Sequence, residues 1–227
     1  MRYVFCALML FFTAIPLSAN SGESVDVDTE IEKMLEAIGG RDIWANATGF
    51  AMSEILYTDQ RELPVMRHYW IDFKSPRIME KSEGRGMRQT RALNGDSGWT
   101  NRNGDSSIWD EATVAGWASF WPGIPTRVFH LLATNDPAVK PVWRDGVIDI
   151  FIDGARVVWI ATDEAGTPVA YGREDRHTDT HFLGKPLKYG AVTLWSEAIE
   201  PGGDWRVVMV DYQLLSAPHT VSFEPPR

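Results

Sequence analysis

The stretch Asp145-Gly146-Val147-Ile148-Asp149-Ile150-Phe151-Ile152-Asp153-Gly154 decides the fold class. Its two Asp-Gly pairs accept the positive φ angles of tight hairpin turns. Between them, Ile148, Ile150 and Ile152 fall on one face of an extended chain. A short strand with a hairpin at each end belongs to an antiparallel sheet. Asn94-Gly95 and Asn103-Gly104 repeat the turn signal upstream. Working outward, the pattern predicts strands over Phe50–Tyr57, Pro64–Phe73, Arg77–Lys81, Met87–Leu93, Arg156–Ala161, Thr167–Arg173, Ala191–Ile199 and Trp205–Leu214. Asp163-Glu164-Ala165-Gly166 and Pro201-Gly202-Gly203-Asp204 read as turns.

Helices occupy two places. Ile31, Met34, Leu35 and Ile38 recur at helical spacing, with Glu30, Glu32, Lys33 and Glu36 on the other face. Asp28 is the expected cap and Gly39-Gly40 the stop, with a further turn over Arg41–Ala45. Midway, Asp110–Phe120 aligns Val114, Trp117, Ala118 and Trp121, and Trp121-Pro122-Gly123 ends it. Pro125–Leu132 reads as another helix, with Val128, Leu131 and Leu132 inward. The predicted fold is α+β: one domain over residues 22–227, a strongly curved antiparallel sheet with an N-terminal helix and a central helical insert against its concave side. No βαβ repeat is present, so a dinucleotide fold has no basis.

The first 21 residues read as a secretory signal. Arg2 precedes an apolar run from Tyr3 to Ile15, broken at Pro16 and followed by Ser18, Ala19, Asn20 and Ser21. Export to a bacterial periplasm with signal removal is the expectation, with no transmembrane segment left afterwards. Such a location gives no ready access to cytosolic ATP or NAD(P)H. Cys6, the one cysteine, lies inside the signal, so no internal disulfide supports the remainder. The chain carries a net charge of −9, and loss of Arg2 makes it −10, because residues 1–21 contain no acid. That balance argues against nucleic-acid binding. Ten tryptophans are spread along the chain. Core packing is their commonest use, and an aromatic-lined groove for an apolar ligand is the sharper alternative.

Three segments carry a family resemblance: Met34–Trp44 (MLEAIGGRDIW), Asn94–Trp99 (NGDSGW) and Asp163–Val169 (DEAGTPV). With the strand order, they make the chain similar to the bacterial outer-membrane lipoprotein-sorting superfamily and its periplasmic relatives. Lys188-Tyr189-Gly190 departs from that pattern, where an Asp-Gly and a following proline are expected. The resemblance implies a half-open β-barrel closed by helices, with a cavity for acyl chains.

Strand alternation nominates Phe50, Met52, Tyr69, Ile71, Ile150, Trp159 and Tyr212 as lining residues, with Arg67 at the rim. An arginine among apolar neighbours needs a partner. It either marks a cavity mouth that binds a carbonyl, ester or carboxylate, or reaches solvent from a packed stem. The favoured function is non-catalytic binding of a lipid or other apolar molecule, with carriage within the envelope as its extension and with no cofactor and no metal expected. The remaining acids read as solvated. One alternative is a periplasmic hydrolase or metal-dependent enzyme. Asp175, His177, Asp179 and His181 would share one face of an extended segment, and imidazoles with carboxylates are competent zinc ligands. Same-face neighbours lie ~7 Å apart, so only a subset could share an ion. Gly95-Asp96-Ser97-Gly98 resembles a trypsin-like nucleophile segment, but it coincides with a hairpin signal. A second alternative is a structural or adaptor protein with an envelope protein partner.

Overall fold

A computed structural model describes residues 26–173, 179–218 and 220–226. The chain begins with α1 (Val27–Ala37) and the short α2 (Arg41–Ala45). Asp26, rather than Asp28, caps α1: its carboxylate accepts from the Asp28 N–H at 3.2 Å and the Thr29 hydroxyl at 2.7 Å. An acid just outside the first turn can receive free amide protons, whereas Asp28 is already within the helix. The helix buries Ile31, Met34 and Leu35. Gly39 and Gly40 stop it at φ 126° and 98°.

Six strands follow in succession: β1 (Gly49–Thr58), β2 (Val65–Asp72), β3 (Arg77–Gly84), β4 (Met87–Asn94), β5 (Ser97–Arg102) and β6 (Asp105–Ile108). The helical insert is α3 (Glu111–Phe120), a 3-10 turn (Trp121–Gly123) and α4 (Pro125–Ala133). Next come β7 (Val139–Arg144), β8 (Val147–Ile152), β9 (Ala155–Thr162), β10 (Pro168–Gly172), β11 (His181–Leu183), β12 (Pro186–Tyr189), β13 (Val192–Trp195), β14 (Glu197–Ile199) and β15 (Trp205–Leu215). Gly95-Asp96-Ser97-Gly98 sits at the β4–β5 hairpin, as the turn reading expects.

Thirteen strands form one curved antiparallel sheet in the order β6-β5-β4-β3-β2-β1-β15-β14-β11-β10-β9-β8-β7. The first and last long strands, β1 and β15, meet in its middle. The sheet does not close, because β6 and β7 stand at opposite edges. Both edges carry features that discourage further pairing: β6 is short, polar and exposed, and β7 contains Pro141. The predicted strand Ala191–Ile199 is divided. β13 pairs only with β12 in a second small sheet, while β14 joins the large one. Ser196 makes the crossing, donating its N–H to Lys185 O and accepting from the Met209 N–H.

The core fills one part of the concave trough. Aromatic packing is led by Trp44, which meets Phe129 edge-on at 5.2 Å and lies near-parallel to Phe50 at 6.4 Å. Phe50, Ile148, Ile150, Val158 and Ile160 come from the sheet, and Met34, Leu35, Val128 and Phe129 from the helices. Each fully buried side chain of this size contributes about 1.5–3 kcal/mol. The insert is pinned to the end of β2: Trp121 Nε1 donates to Asp72 O at 2.7 Å, and Arg127 Nε donates to Phe73 O at 3.2 Å. The Arg127 guanidinium also covers the Trp121 ring at 3.6 Å. Burial lowers its pKa to about 10, so it stays charged at neutral pH.

The convex face carries separate clusters. Met79, Ala92 and Trp99 are covered by Phe223, which returns after β15; Trp99 Nε1 donates to Phe223 O at 2.7 Å. Val147, Trp159 and Ala170 form another.

Candidate functional site

Where the helical core leaves the trough unfilled, a cavity of about 460 Å³ remains. Its sheet wall consists of Met52 and Glu54 from β1, Arg67, Tyr69 and Ile71 from β2, Ile78 and Glu80 from β3, and Arg91 from β4. Trp205, Val207, Met209 and Tyr212 come from β15, Tyr171 from β10 and Trp195 from β13. Trp117 and Phe120 of α3, with Ile124, Pro125 and Thr126 at the start of α4, cover it. Arg173 completes the charged part of the lining.

A bulge shapes this wall. Along β15, Tyr212 opposes Met52 and Met209 opposes Glu54, leaving Val210 as the extra residue. Strict alternation would send Tyr212 and Met209 to opposite faces. The inserted residue brings both to the cavity.

Within the apolar lining runs a row of charges set by cross-strand register. Glu54 opposes Arg67, Tyr69 opposes Glu80, and Glu80 opposes Arg91. Glu54 and Glu80 are only 2% and 3% exposed. Arg67 Nη2 closes on Glu54 Oε1 as an ion pair. Arg91 Nη2 donates at 2.7 Å to both oxygens of Glu80. The Tyr69 hydroxyl donates to Glu80 Oε2 at 2.9 Å, and the Ser82 hydroxyl donates to Oε1. The Arg67 guanidinium lies 5.4 Å from the centre of the Tyr69 ring, and that of Arg91 lies 4.8 Å from the Trp117 ring.

The two carboxyls are driven in opposite directions. Burial pushes Glu54 above the usual carboxylate value; Arg67 opposes that only in part, and Glu80 adds repulsion. Burial also acts on Glu80, but Arg91 and Ser82 outweigh it and hold this carboxyl below the usual value. Burial works against the Arg67 charge as well. Tyr69, Glu54 and Glu80 more than compensate, and its pKa moves up. Tyr69, Tyr171 and Tyr212 are all raised chiefly by burial, so they remain protonated donors.

Five nominated residues line this cavity: Met52, Arg67, Tyr69, Ile71 and Tyr212. Arg67 is not a solvent-reaching rim residue. Its side chain is 14% exposed and paired in the wall, because the β1–β2 register places Glu54 directly across from it. Phe50 and Ile150 do face the concave side, but Trp44 and its neighbours fill the space in front of them. Trp159 lies on the opposite face, across from Asp149 in β8, since Val158 and Ile160 take the inward positions. Reading the acids as solvated missed Glu54, Glu80 and Asp149, all buried. Glu54 shares its alternation with Phe50, Met52 and Leu56, and that signal marks it as inward. Of the tryptophans, Trp117, Trp195 and Trp205 line the cavity, while Trp44, Trp99 and Trp159 are buried in packed clusters.

The proposed metal stretch is only partly described: Asp175 and His177 lie outside the described residues. His181 Nδ1 is 3.8 Å from Asp179 Oδ1, and its Nε2 is 3.7 Å from Glu200 Oε1. Its ring stacks on Tyr171 with centroids 4.9 Å apart, and burial lowers its pKa. Among the described residues, no group of three or more His, Cys, Asp or Glu side chains is arranged to hold a metal ion. Ser53 Oγ meets His68 Nδ1 at 2.8 Å, but alternation puts this pair on the outer face, away from the cavity. No helix among the described residues is long and apolar enough to cross a membrane.

No protein-family model matches the chain, and no curated protein matches it in sequence. Among solved structures it is similar to a DUF1329 family protein from Desulfovibrio piger, with a TM-score of 0.45 and 6% identity. That match covers 82% of this chain and 91% of the other.

Proposed function

We propose that this protein is an exported, non-catalytic binding protein that takes one small, largely apolar molecule, such as a lipid acyl chain, into the trough and carries it within the cell envelope. The cavity is the observation that carries this reading. Its volume of about 460 Å³ lies within the ~300–1,000 Å³ range of small-molecule sites. Aromatic and aliphatic side chains from both the sheet and the insert face it, with a few convergent polar groups that can orient an occupant. The Arg2, apolar-run and Ala19 arrangement supports export, and the resemblance of Asn94–Trp99 and Asp163–Val169 to half-open-barrel carriers supports the ligand class.

The test is native mass spectrometry of protein purified from its own envelope fraction, followed by organic extraction and identification of bound molecules. A stoichiometric apolar adduct is expected, with a mature N-terminus beginning after Ala19 or Ser21. Protein that is empty from every fraction and does not bind a fluorescent fatty acid overturns the binding reading. Recovery from the cytosol with Met1 intact overturns the export reading.

A further inference from the structure

We propose that the cavity selects an amphiphile with an anionic oxygen head, a carboxylate or a phosphate monoester on an apolar body. The inference rests on reading the trough as a binding cavity and deepens that reading by fixing the sign and hydrogen-bonding character of the ligand's polar end.

The first observation is charge. Three guanidiniums (Arg67, Arg91 and Arg173) and two carboxylates (Glu54 and Glu80) line the same cavity. Fully ionised, they leave one positive charge inside a wall of low polarizability. Arg67 and Arg91 are committed to Glu54 and Glu80. Arg173 instead donates Nη2 to Phe120 O at 3.0 Å and lies 4.1 Å from the Phe120 ring centre. Asp179 favours the Arg173 charge but is not part of the cavity lining, so among the described lining residues Arg173 has no carboxylate of its own.

The second observation is an excess of donors. Glu80 accepts twice from Arg91, once from Tyr69 and once from Ser82, which uses the four acceptor positions of a carboxylate. Glu54 Oε1 is paired in charge with Arg67 and is the one acceptor of this row without a hydrogen bond among the described residues, against three such donors. Arg67 Nε, Arg91 Nε and Trp195 Nε1 are buried without an acceptor among the described residues. These groups donate and cannot accept. The hydroxyls of Tyr212 and Thr126 are also buried without partners there, and both residues line the cavity at 4% and 5% exposure. A buried donor without an acceptor is costly. A ligand that brings acceptor oxygens relieves that cost, and a negative charge on them balances the arginines. A cationic head does neither.

The test uses four ten-carbon probes that differ in their polar head: decanoate, decyl phosphate, decanol and decylamine. Binding is read by calorimetry and checked by the change in tryptophan emission, to which Trp117, Trp195 and Trp205 in the lining contribute. Decanoate or decyl phosphate binds about tenfold or more tightly than decanol, and decylamine binds weakest. The tighter of the two anions identifies the source of the head. Arg173→Met narrows the preference for the anion over decanol to about threefold or less, while Glu54→Gln widens it. The Glu54 variant keeps the experiment decisive if Arg173→Met does not fold. Equal binding of decanol and both anions, or a preference for decylamine, overturns the anionic head and leaves the apolar cavity standing. Waters alone satisfying the donors give that same result. Failure of all four probes to bind overturns the binding function itself.

Discussion

Replacing Arg91 with methionine tests whether register-set ion pairing holds the charged row in place. Methionine keeps much of the stem's bulk and removes the guanidinium. Glu80, whose side chain is 4% exposed, then keeps only Tyr69 and Ser82 as donors. Removing one partner of a buried ion pair costs about 3–5 kcal/mol. Arg91 is itself 34% exposed, so solvent screening reduces its share, and two donors remain. The expected loss is about 2–3 kcal/mol at neutral pH, or about 5–10 °C in Tm for a chain of this size. The pH dependence has a definite sign. In the parent protein the Glu80 pKa is below its ordinary value. Its stabilising contribution is present above the unfolded pKa and is lost as pH falls through the folded one. Without Arg91, burial dominates and the folded pKa rises above the unfolded one. Stability of the variant from this group then increases as pH falls toward the unfolded pKa. The gap between variant and parent therefore narrows between about pH 7 and pH 5. Urea unfolding at those two pH values measures it. Adding Glu80→Gln removes the buried charge and recovers at least half of the loss at the higher pH. A loss under about 0.5 kcal/mol, or an equal loss at both pH values, refutes the reasoning.

Met209→Trp fills part of the cavity from β15; fatty-acid affinity falls at least tenfold while the urea midpoint changes by no more than the equivalent of about 1 kcal/mol. Gly39→Ala destabilises by about 2 kcal/mol or more in the same melts, because φ is 126° and the new Cβ would lie 2.7 Å from Ala191 O. Phe223→Ala uncovers Met79 and Trp99 on the convex face, costs about 3 kcal/mol and moves tryptophan emission to the red; unchanged stability and emission would show that this tail does not cover the cluster.

Local chemistry in the sequence determines most of the elements. Hairpin dipeptides, alternation and glycine stops specify antiparallel strands, α1 and the insert, since each depends on residues close along the chain. Alternation also places Met52, Arg67, Tyr69 and Ile71 on one side, and it carried enough information to place Glu54 there too. It does not reveal which inward residues will meet a helix and which will meet open space: Phe50 and Ile150 become core only because Trp44 and its neighbours arrive from elsewhere. Nor does it reveal the Val210 bulge, which exists through pairing between strands at opposite ends of the chain. The β1–β2 connection over 59–64 permits other registers by length alone, so the Glu54–Arg67 pair is a product of the assembled sheet. The sequence by itself therefore determined the strands, the turns and much of one cavity wall. Tertiary structure decided the charge pairs, the covered and open parts of the trough, and the outward position of Trp159, because each depends on contacts between segments distant along the chain.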